Sequence, residues 1–547
     1  MSVWRYRFFL VVAVTAFLVG CNPENNPSEE PPQDGEPSGE EDSNKPDNDI
    51  DLQPYVPIPG QSLLSSARYK HCAIVNSERN VACWGNFQSG LAVLPPNPDS
   101  TTGDPIYVAN TSSPFYLQDA NGLAEGITDL AVGSSKICAI KNGTELQCWG
   151  HLRLNEANEG TPSFPVPISM GHFVTVPGLV EINDVATVGG ICVAGKSNGE
   201  LEHPDRVVCW AHGSGNPAAL SGLGIGTFMG DTYYLDDVMS QFPEGVPLPA
   251  ANGILSIDGG NGRYCAVLKT TPSNEAGDAV CWGDNYQSVL GYDHENDIGT
   301  FSTPLQAGFI DFDGYKVRKL ALGMGVGCAL LASQEPEDVY SSGVRCWGAP
   351  HLSGYTQFEL ESFKSESWAN RFIIPGADQI YAIGRPLPVD VHLGYEDNPE
   401  GLALKARDLT AGTGQVCSIV QPYGDVDENN ASVRCWGHND SSNYYFRSDD
   451  VHYVPHSSDE SENPMSAIHN LGDIPSLGDN EEFLEISAGQ SNQCVLAVPA
   501  ANTVQTVDAE LGIKCWGYNY YGQLGNGTND NVIDIPYEYS LTFPAPN

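Results

Sequence analysis

The sequence predicts an all-β protein built from seven repeated antiparallel units. Three observations carry that prediction: seven cysteine-bracketed hairpins along the chain, a composition rich in turn residues, and an amino-terminal segment that sends the chain into an oxidising compartment. The 547 residues include 58 Gly and 39 Pro, and 41% are hydrophobic, which is enough apolar material for a large core in a loop-rich β fold.

The chain opens with Arg5 and Arg7 ahead of the apolar run Phe8 to Val19. This is a charged segment followed by a hydrophobic stretch too short for a comfortable membrane span, the pattern of a secretory signal over residues 1–20. The run ends in Leu18-Val19-Gly20-Cys21, which resembles the lipobox of bacterial lipoproteins. That resemblance implies cleavage before Cys21 and lipidation of it, and Asn22 after the cysteine is compatible with sorting to the outer membrane. Residues 21–60 shift to Pro, Glu, Asp, Ser and Asn, cannot bury enough surface to fold, and read as an acidic tether.

The repeats occupy residues 61–547. Each begins on a cysteine followed by small and branched apolar residues and closes on cysteine-tryptophan. The pairs are Cys72 with Cys83, Cys138 with Cys148, Cys192 with Cys209, Cys265 with Cys281, Cys328 with Cys346, Cys417 with Cys435, and Cys494 with Cys515. These fourteen cysteines and Cys21 exhaust the fifteen in the chain. In an exported protein that arithmetic predicts one local disulfide per repeat rather than metal ligation. Each pair brackets a hairpin, as in Cys138-Ala139-Ile140, the turn Asn142-Gly143, and Leu146-Gln147-Cys148. A further short strand is expected before each first cysteine, at Leu130 to Gly133, Leu320 to Gly323 and Ile486 to Gly489. The repeat runs to roughly 70 residues, longer than familiar propeller repeats of about 40 to 50, so the surplus is assigned to loops.

This pattern resembles the regulator of chromosome condensation repeat family. The last unit matches best, with Ala488-Gly489, Cys494-Val495-Leu496, Cys515-Trp516-Gly517-Tyr518-Asn519 and Gly522-Gln523-Leu524-Gly525 in the family's order. The fourth unit keeps Trp282-Gly283-Asp284-Asn285 and Leu290-Gly291. The resemblance implies a seven-bladed β-propeller, closed by strands from both chain ends. On that expectation the tail at Val532 to Ile535, or Tyr539 to Phe543, pairs beside Ser62 to Ala67. The eukaryotic founder's nucleotide exchange on a small nuclear GTPase is not carried over, because an exported, lipidated chain meets no such substrate and no exchange residue matches. Bacterial members of the fold include secreted binders, one of them an inhibitor of β-lactamases.

With 69 acidic against 25 basic residues the net charge is -44, which removes the main electrostatic term for nucleic-acid binding. Several motifs invite an enzymatic reading and fail on context. Gly190 to Ser197 fits a phosphate-loop string, yet Gly199 and Pro204 stand where the required helix would begin, and Cys192 already assigns the stretch to a strand. Gly195 to Gly199 fits a nucleophile-elbow string and lacks the same helix. No His-Glu-x-x-His spacing occurs, and His71 and His438 read as packing and loop polarity. Asp425 to Asn430 is similar to the start of a calcium loop but has Asn430 and Trp436 where glycine and glutamate belong, leaving at most weak calcium binding.

No cofactor and no catalytic constellation are therefore expected. The long insertions are the functional candidates: Gly230 to Asp237, Pro350 to Leu404 and Asn439 to Phe446. Tyr233, Tyr234, Tyr444 and Tyr445 are the candidate contacts, on the composition that binding loops favour. The expected function is a lipid-anchored envelope module that binds an extracellular or envelope protein or a glycan. The alternatives are a polysaccharide hydrolase or lyase, with carboxylates drawn from different blades, and a structural envelope component.

Overall fold

The structure is a computed structural model. It describes residues 61–87, 93–94, 106–107, 110–119, 121–154, 171–197, 205–211, 223–226, 234–260, 262–270, 275–332, 343–348, 385–391, 404–413, 415–422, 431–438, 453–454, 481–499, 512–530 and 541–543. Cys21 and the tether, Tyr233, Tyr444, Tyr445 and the acidic turn 425–430 lie outside the described residues.

Seven antiparallel sheets follow one another along the chain, each built in sequence order from an inner, a middle and a third strand. The first is Leu64–Ala67, Lys70–Val75 and Asn80–Asn86. The second is Ile127–Val132, Lys136–Lys141 and Glu145–Gly150. The third is Leu179–Ala186, Gly190–Ser197 and Asp205–Ala211, and the fourth is Ile254–Gly260, Arg263–Leu268 and Asp278–Gly283. The fifth is Val317–Leu322, Val326–Leu331 and Gly343–Gly348. The sixth is Leu404–Ala411, Gln415–Pro422 and Ser432–His438, and the seventh is Glu481–Ala488, Asn492–Pro499 and Gly512–Gly517. The strands expected before each first cysteine are thus the inner strands.

Every cysteine pair sits directly opposite across the middle and third strands, and all seven are disulfides with Cα atoms 4.0 to 4.1 Å apart. The second hairpin turns through Asn142 and Gly143, whose φ values of 54° and 75° are the left-handed conformations such a two-residue turn requires. The phosphate-loop look-alike Gly190–Ser197 is the middle strand of the third sheet, and its Lys196 pairs with Glu181 on the neighbouring strand.

The surplus length is not all loop. Asn110–Tyr116, His172–Phe173, Arg385–Val391 and Tyr453–Val454 add a fourth, outer strand to the first, second, fifth and sixth sheets. One of them arises inside the 350–404 insertion, where the sequence reading expected only a binding loop.

The apolar core lies between neighbouring sheets, as it must when each sheet is buried on both faces. One cluster links the second through fifth sheets and another links the seventh, first and second. The repeat tryptophans fill these seams. Trp149, Trp210 and Trp347 are buried and donate through Nε1 to Gln118 O, Leu152 O and Val289 O of the preceding unit, at 2.8, 2.8 and 2.7 Å. Glycines admit the close approach of several of these rings. Gly291 and Gly525, both at positive φ, would place a Cβ 3.1 Å from Trp347 and 2.8 Å from Trp84.

Of the tail, residues 531–540 lie outside the described residues, Val532 to Ile535 among them, and residues 541–543 attach elsewhere than beside 62–67. Leu541 N donates to Ile513 O on the third strand of the seventh sheet at 2.9 Å, and Phe543 meets the edge of Trp84 in the first. Leu64–Ala67 is the innermost strand of the first sheet, and residues 541–543 lie on the outer side of the seam between the last unit and the first.

Candidate functional site

The inner strands surround a central cavity of about 700 Å3. Two rings of polar contacts tie its wall together: the second crosses every seam by hydrogen bonds, and the first does so at every seam but that between the second and third units, where two carboxyls are neighbours.

The first ring is made by acidic residues of the inner strands. Asp184 Oδ2 accepts from Ile257 N of the fourth unit at 2.7 Å, and Asp258 Oδ2 from Leu322 N of the fifth at 2.7 Å. Lys319 Nζ meets Asp408 Oδ1 at 2.6 Å across the fifth and sixth, and Asp408 Oδ2 accepts from Ile486 N of the seventh at 2.9 Å. Glu485 Oε2 accepts from Leu63 N and Leu64 N of the first at 2.7 and 3.2 Å. Asp129 Oδ1 accepts from Ser62 N at 2.7 Å, while its buried Oδ2 has no hydrogen-bond partner among the described residues and neighbours the Asp184 carboxyl of the third.

These environments move proton affinities in a consistent direction. Burial raises Asp129 to about 6, Asp258 to about 6 and Glu485 to about 7. Asp184 is raised well above the carboxylate range by burial and by the neighbouring Asp129. Burial and the like charge of its neighbour thus both favour the protonated form at this pair. Two carboxyls from different blades do meet here, as the hydrolase alternative requires. Both are buried, at 2% and 4% exposure, whereas glycoside hydrolysis needs its two carboxyls open to the scissile bond.

The second ring lies where middle strands begin. Lys70 Nζ donates to Ser134 O at 2.6 Å, Lys136 Nζ to Gly189 O at 3.1 Å, and Tyr264 OH to Val188 O at 2.7 Å. Arg263 Nη1 donates to Met324 O at 2.5 Å, Met324 N to Gly412 O at 3.3 Å, Gln415 Nε2 to Gly489 O at 3.2 Å, and Gln490 N to Arg68 O at 2.5 Å. Burial lowers Lys70 to about 7 and Lys136 to about 8. His71 is held in the same layer between Ser66 Oγ and Asn492 Oδ1, stacked on Trp84, and burial lowers it to about 4. The packing role read for it from sequence is what the structure shows.

The face carrying this second ring also carries tyrosines. After Trp-Gly in the fourth and seventh units the chain makes the same loop around a buried asparagine. Asn285 Oδ1 accepts from Leu290 N at 2.9 Å and its Nδ2 donates to His294 O and Asn296 O; Asn519 Oδ1 accepts from Leu524 N at 2.9 Å and its Nδ2 donates to Thr528 O and Asp530 O. The next residue in each loop projects outward: Tyr286 is 71% exposed and Tyr520 64%. Tyr520 continues into a cluster at the last seam, with Tyr521 at 5.0 Å and Tyr518 at 6.3 Å between ring centroids, and Tyr69 of the first unit 4.9 Å from Tyr521.

Of the four tyrosines singled out from sequence, Tyr234 is the one described. It is 6% exposed, precedes the helix Leu235–Gln241, and packs its ring under the Arg153 guanidinium at 6.0 Å. It is a packing residue and presents no contact surface. Among the described residues, the exposed tyrosines lie instead on the short loops after the cysteine hairpins. Their signal in the sequence is the Trp-Gly-x-Asn-Tyr string shared by the fourth and seventh units.

No protein-family model matches the chain, and no curated protein matches it by sequence. Solved structures match by fold. Human WBSCR16 is 14% identical with a TM-score of 0.52, covering 85% of this chain and 94% of its own. The structure of Kap60 bound to yeast RCC1 (Prp20) is similar at 14% identity and a TM-score of 0.52, with 91% of each chain covered. Prp20p from Saccharomyces cerevisiae, described with its binding properties to Gsp1p and histones, gives 14%, 0.50, 86% and 88%. The fold is that of the RCC1-type β-propeller, and the seven sheets are its blades.

Proposed function

We propose that this chain is an exported, lipid-anchored propeller that acts as a binding module at the cell envelope, with its ligand seated on the tyrosine-bearing face of the ring. The observation that carries the reading is the contrast between a wall immobilised at every seam and an exposed tyrosine held at the same place of the same preorganised loop in two blades. The seven disulfides suit an oxidising compartment outside the cytoplasm, in keeping with the signal segment and Cys21. Similarly folded propellers include Prp20p, whose described partners are proteins, which is consistent with recognition rather than turnover as the use of this scaffold.

The experiment is ligand capture by the full-length protein, purified with its disulfides intact, from an envelope extract and a glycan panel, repeated after reduction. A saturable ligand that is lost on reduction supports the reading. Turnover of a glycan that disappears in Asp184→Asn replaces it with the hydrolase alternative.

A further inference from the structure

We infer that the ligand of this face is a neutral polysaccharide, gripped by stacking on Tyr520 and Tyr286. The inference rests on the binding-module reading and names the chemistry of the partner.

The two tyrosines stand at equivalent places in two copies of one loop, each directly after the asparagine whose side chain holds the loop from within. The third strands of all blades run in the same direction, so both loops leave by the same face, three blades apart. A side chain exposed on a loop fixed in this way loses little freedom when a flat ligand lies against it. A tyrosine ring offers the apolar face and hydroxyl that a sugar ring's C–H face and hydroxyl groups complement.

Size decides between a sugar and a protein. An aromatic side chain has on the order of 150 to 250 Å2 to bury, so two rings exposed by about two thirds offer a few hundred Å2 between them. A stable protein interface needs about 800 Å2 from each partner. The patch is too small for that and large enough for one or two sugar rings at each tyrosine. Charge decides between sugar classes. A chain of net charge -44 repels uronate- or sulfate-bearing polymers, and stacking, unlike ion pairing, needs no charge on the ligand. Two sites on one rigid ring suit a repeating polymer, because the second contact forms at the effective concentration set by the first.

The test is affinity electrophoresis of the full-length protein through gels containing laminarin, xyloglucan or galactomannan, with alginate as the acidic counterpart. Retardation by at least one neutral polymer and none by alginate is expected. Tyr520→Ala is expected to weaken it about tenfold, and Tyr520→Trp to preserve it. The double change Tyr286→Ala with Tyr520→Ala is expected to abolish it while leaving the melting temperature in place, since both rings are exposed. Retardation that is equal in wild type and double variant overturns the inference, as does retardation by alginate alone. If no polysaccharide retards the protein but an envelope protein is captured and then lost in the double variant, the glycan assignment falls and the binding-module reading stands.

Discussion

Glu485 illustrates how single residues here serve two neighbours. Its carboxyl holds two backbone amides of the first blade while its own backbone belongs to the seventh, and burial raises its proton affinity. The folded ring therefore retains protons on Glu485, Asp129 and Asp258 that the unfolded chain releases near pH 4. Stability from these groups is fully present below about pH 4 and is lost as pH rises through about 6 to 7. His71 has the opposite sign: its contribution is present above about 6.5 and lost as pH falls toward 4. Lys70 and Lys136, lowered to about 7 and 8, act in the same direction as His71, and the raised carboxyls, Asp184 among them, outweigh these three bases, so the melting temperature is expected to rise as the buffer is taken from about pH 7.5 to 5.5. Glu485→Gln is expected to flatten that slope, as measured by thermal melts across the range. A slope of the same steepness in the variant would show that the proton resides elsewhere.

At the scale of the element, the cysteine hairpin and the asparagine loop are the two devices the chain repeats. Replacing Cys138 and Cys148 together by serine opens a loop closed over a sequence separation of 10 and is expected to cost about 3 kcal/mol in denaturant unfolding. Asn519→Ala removes a buried side chain that makes several hydrogen bonds within its loop, a loss of roughly 1 to 3 kcal/mol. Its amides from 520 to 530 are expected to exchange faster, with ligand binding weakened as in Tyr520→Ala. The hairpins were legible because cysteine pairing and turn residues act over short separations. The inner strands were legible from their small-residue ends. The outer strands were not: Asn110–Tyr116 carries no alternating pattern of its own, and in Arg385–Val391 the alternation of Leu387, Val389 and Val391 is masked by Pro386 and Pro388, so both are set by the hydrogen bonds a neighbouring edge offers. Tyr234 misled for a related reason. Its surroundings read as a polar loop, yet Arg153, distant in sequence, closes over it.

For the whole molecule, the legible part was the count of blades and the illegible part was how the ring is held. The acidic ring has a faint trace in the sequence: Asp129, Asp408 and Glu485 each stand four residues ahead of a glycine, at Gly133, Gly412 and Gly489, and Lys319 stands likewise before Gly323. Without coordinates that alignment has no evident purpose, because the groups it pairs lie in different blades. Where residues 541–543 attach was illegible for the same reason. The last seam is bonded by Glu485 and Gln490 as the others are by their counterparts, with Leu541 and Phe543 packed outside it. Leu541→Ala with Phe543→Ala is accordingly expected to cost a few kcal/mol and to speed amide exchange at Leu63 and Leu64 before other inner strands, read by hydrogen exchange.

The measurement that tests the central claim most directly is the retention of neutral polysaccharide by the intact, oxidised protein, compared with its Tyr286→Ala and Tyr520→Ala double variant. The account predicts saturable retention by the wild type and none by an equally stable variant. Retention by neither, or by both alike, would contradict it.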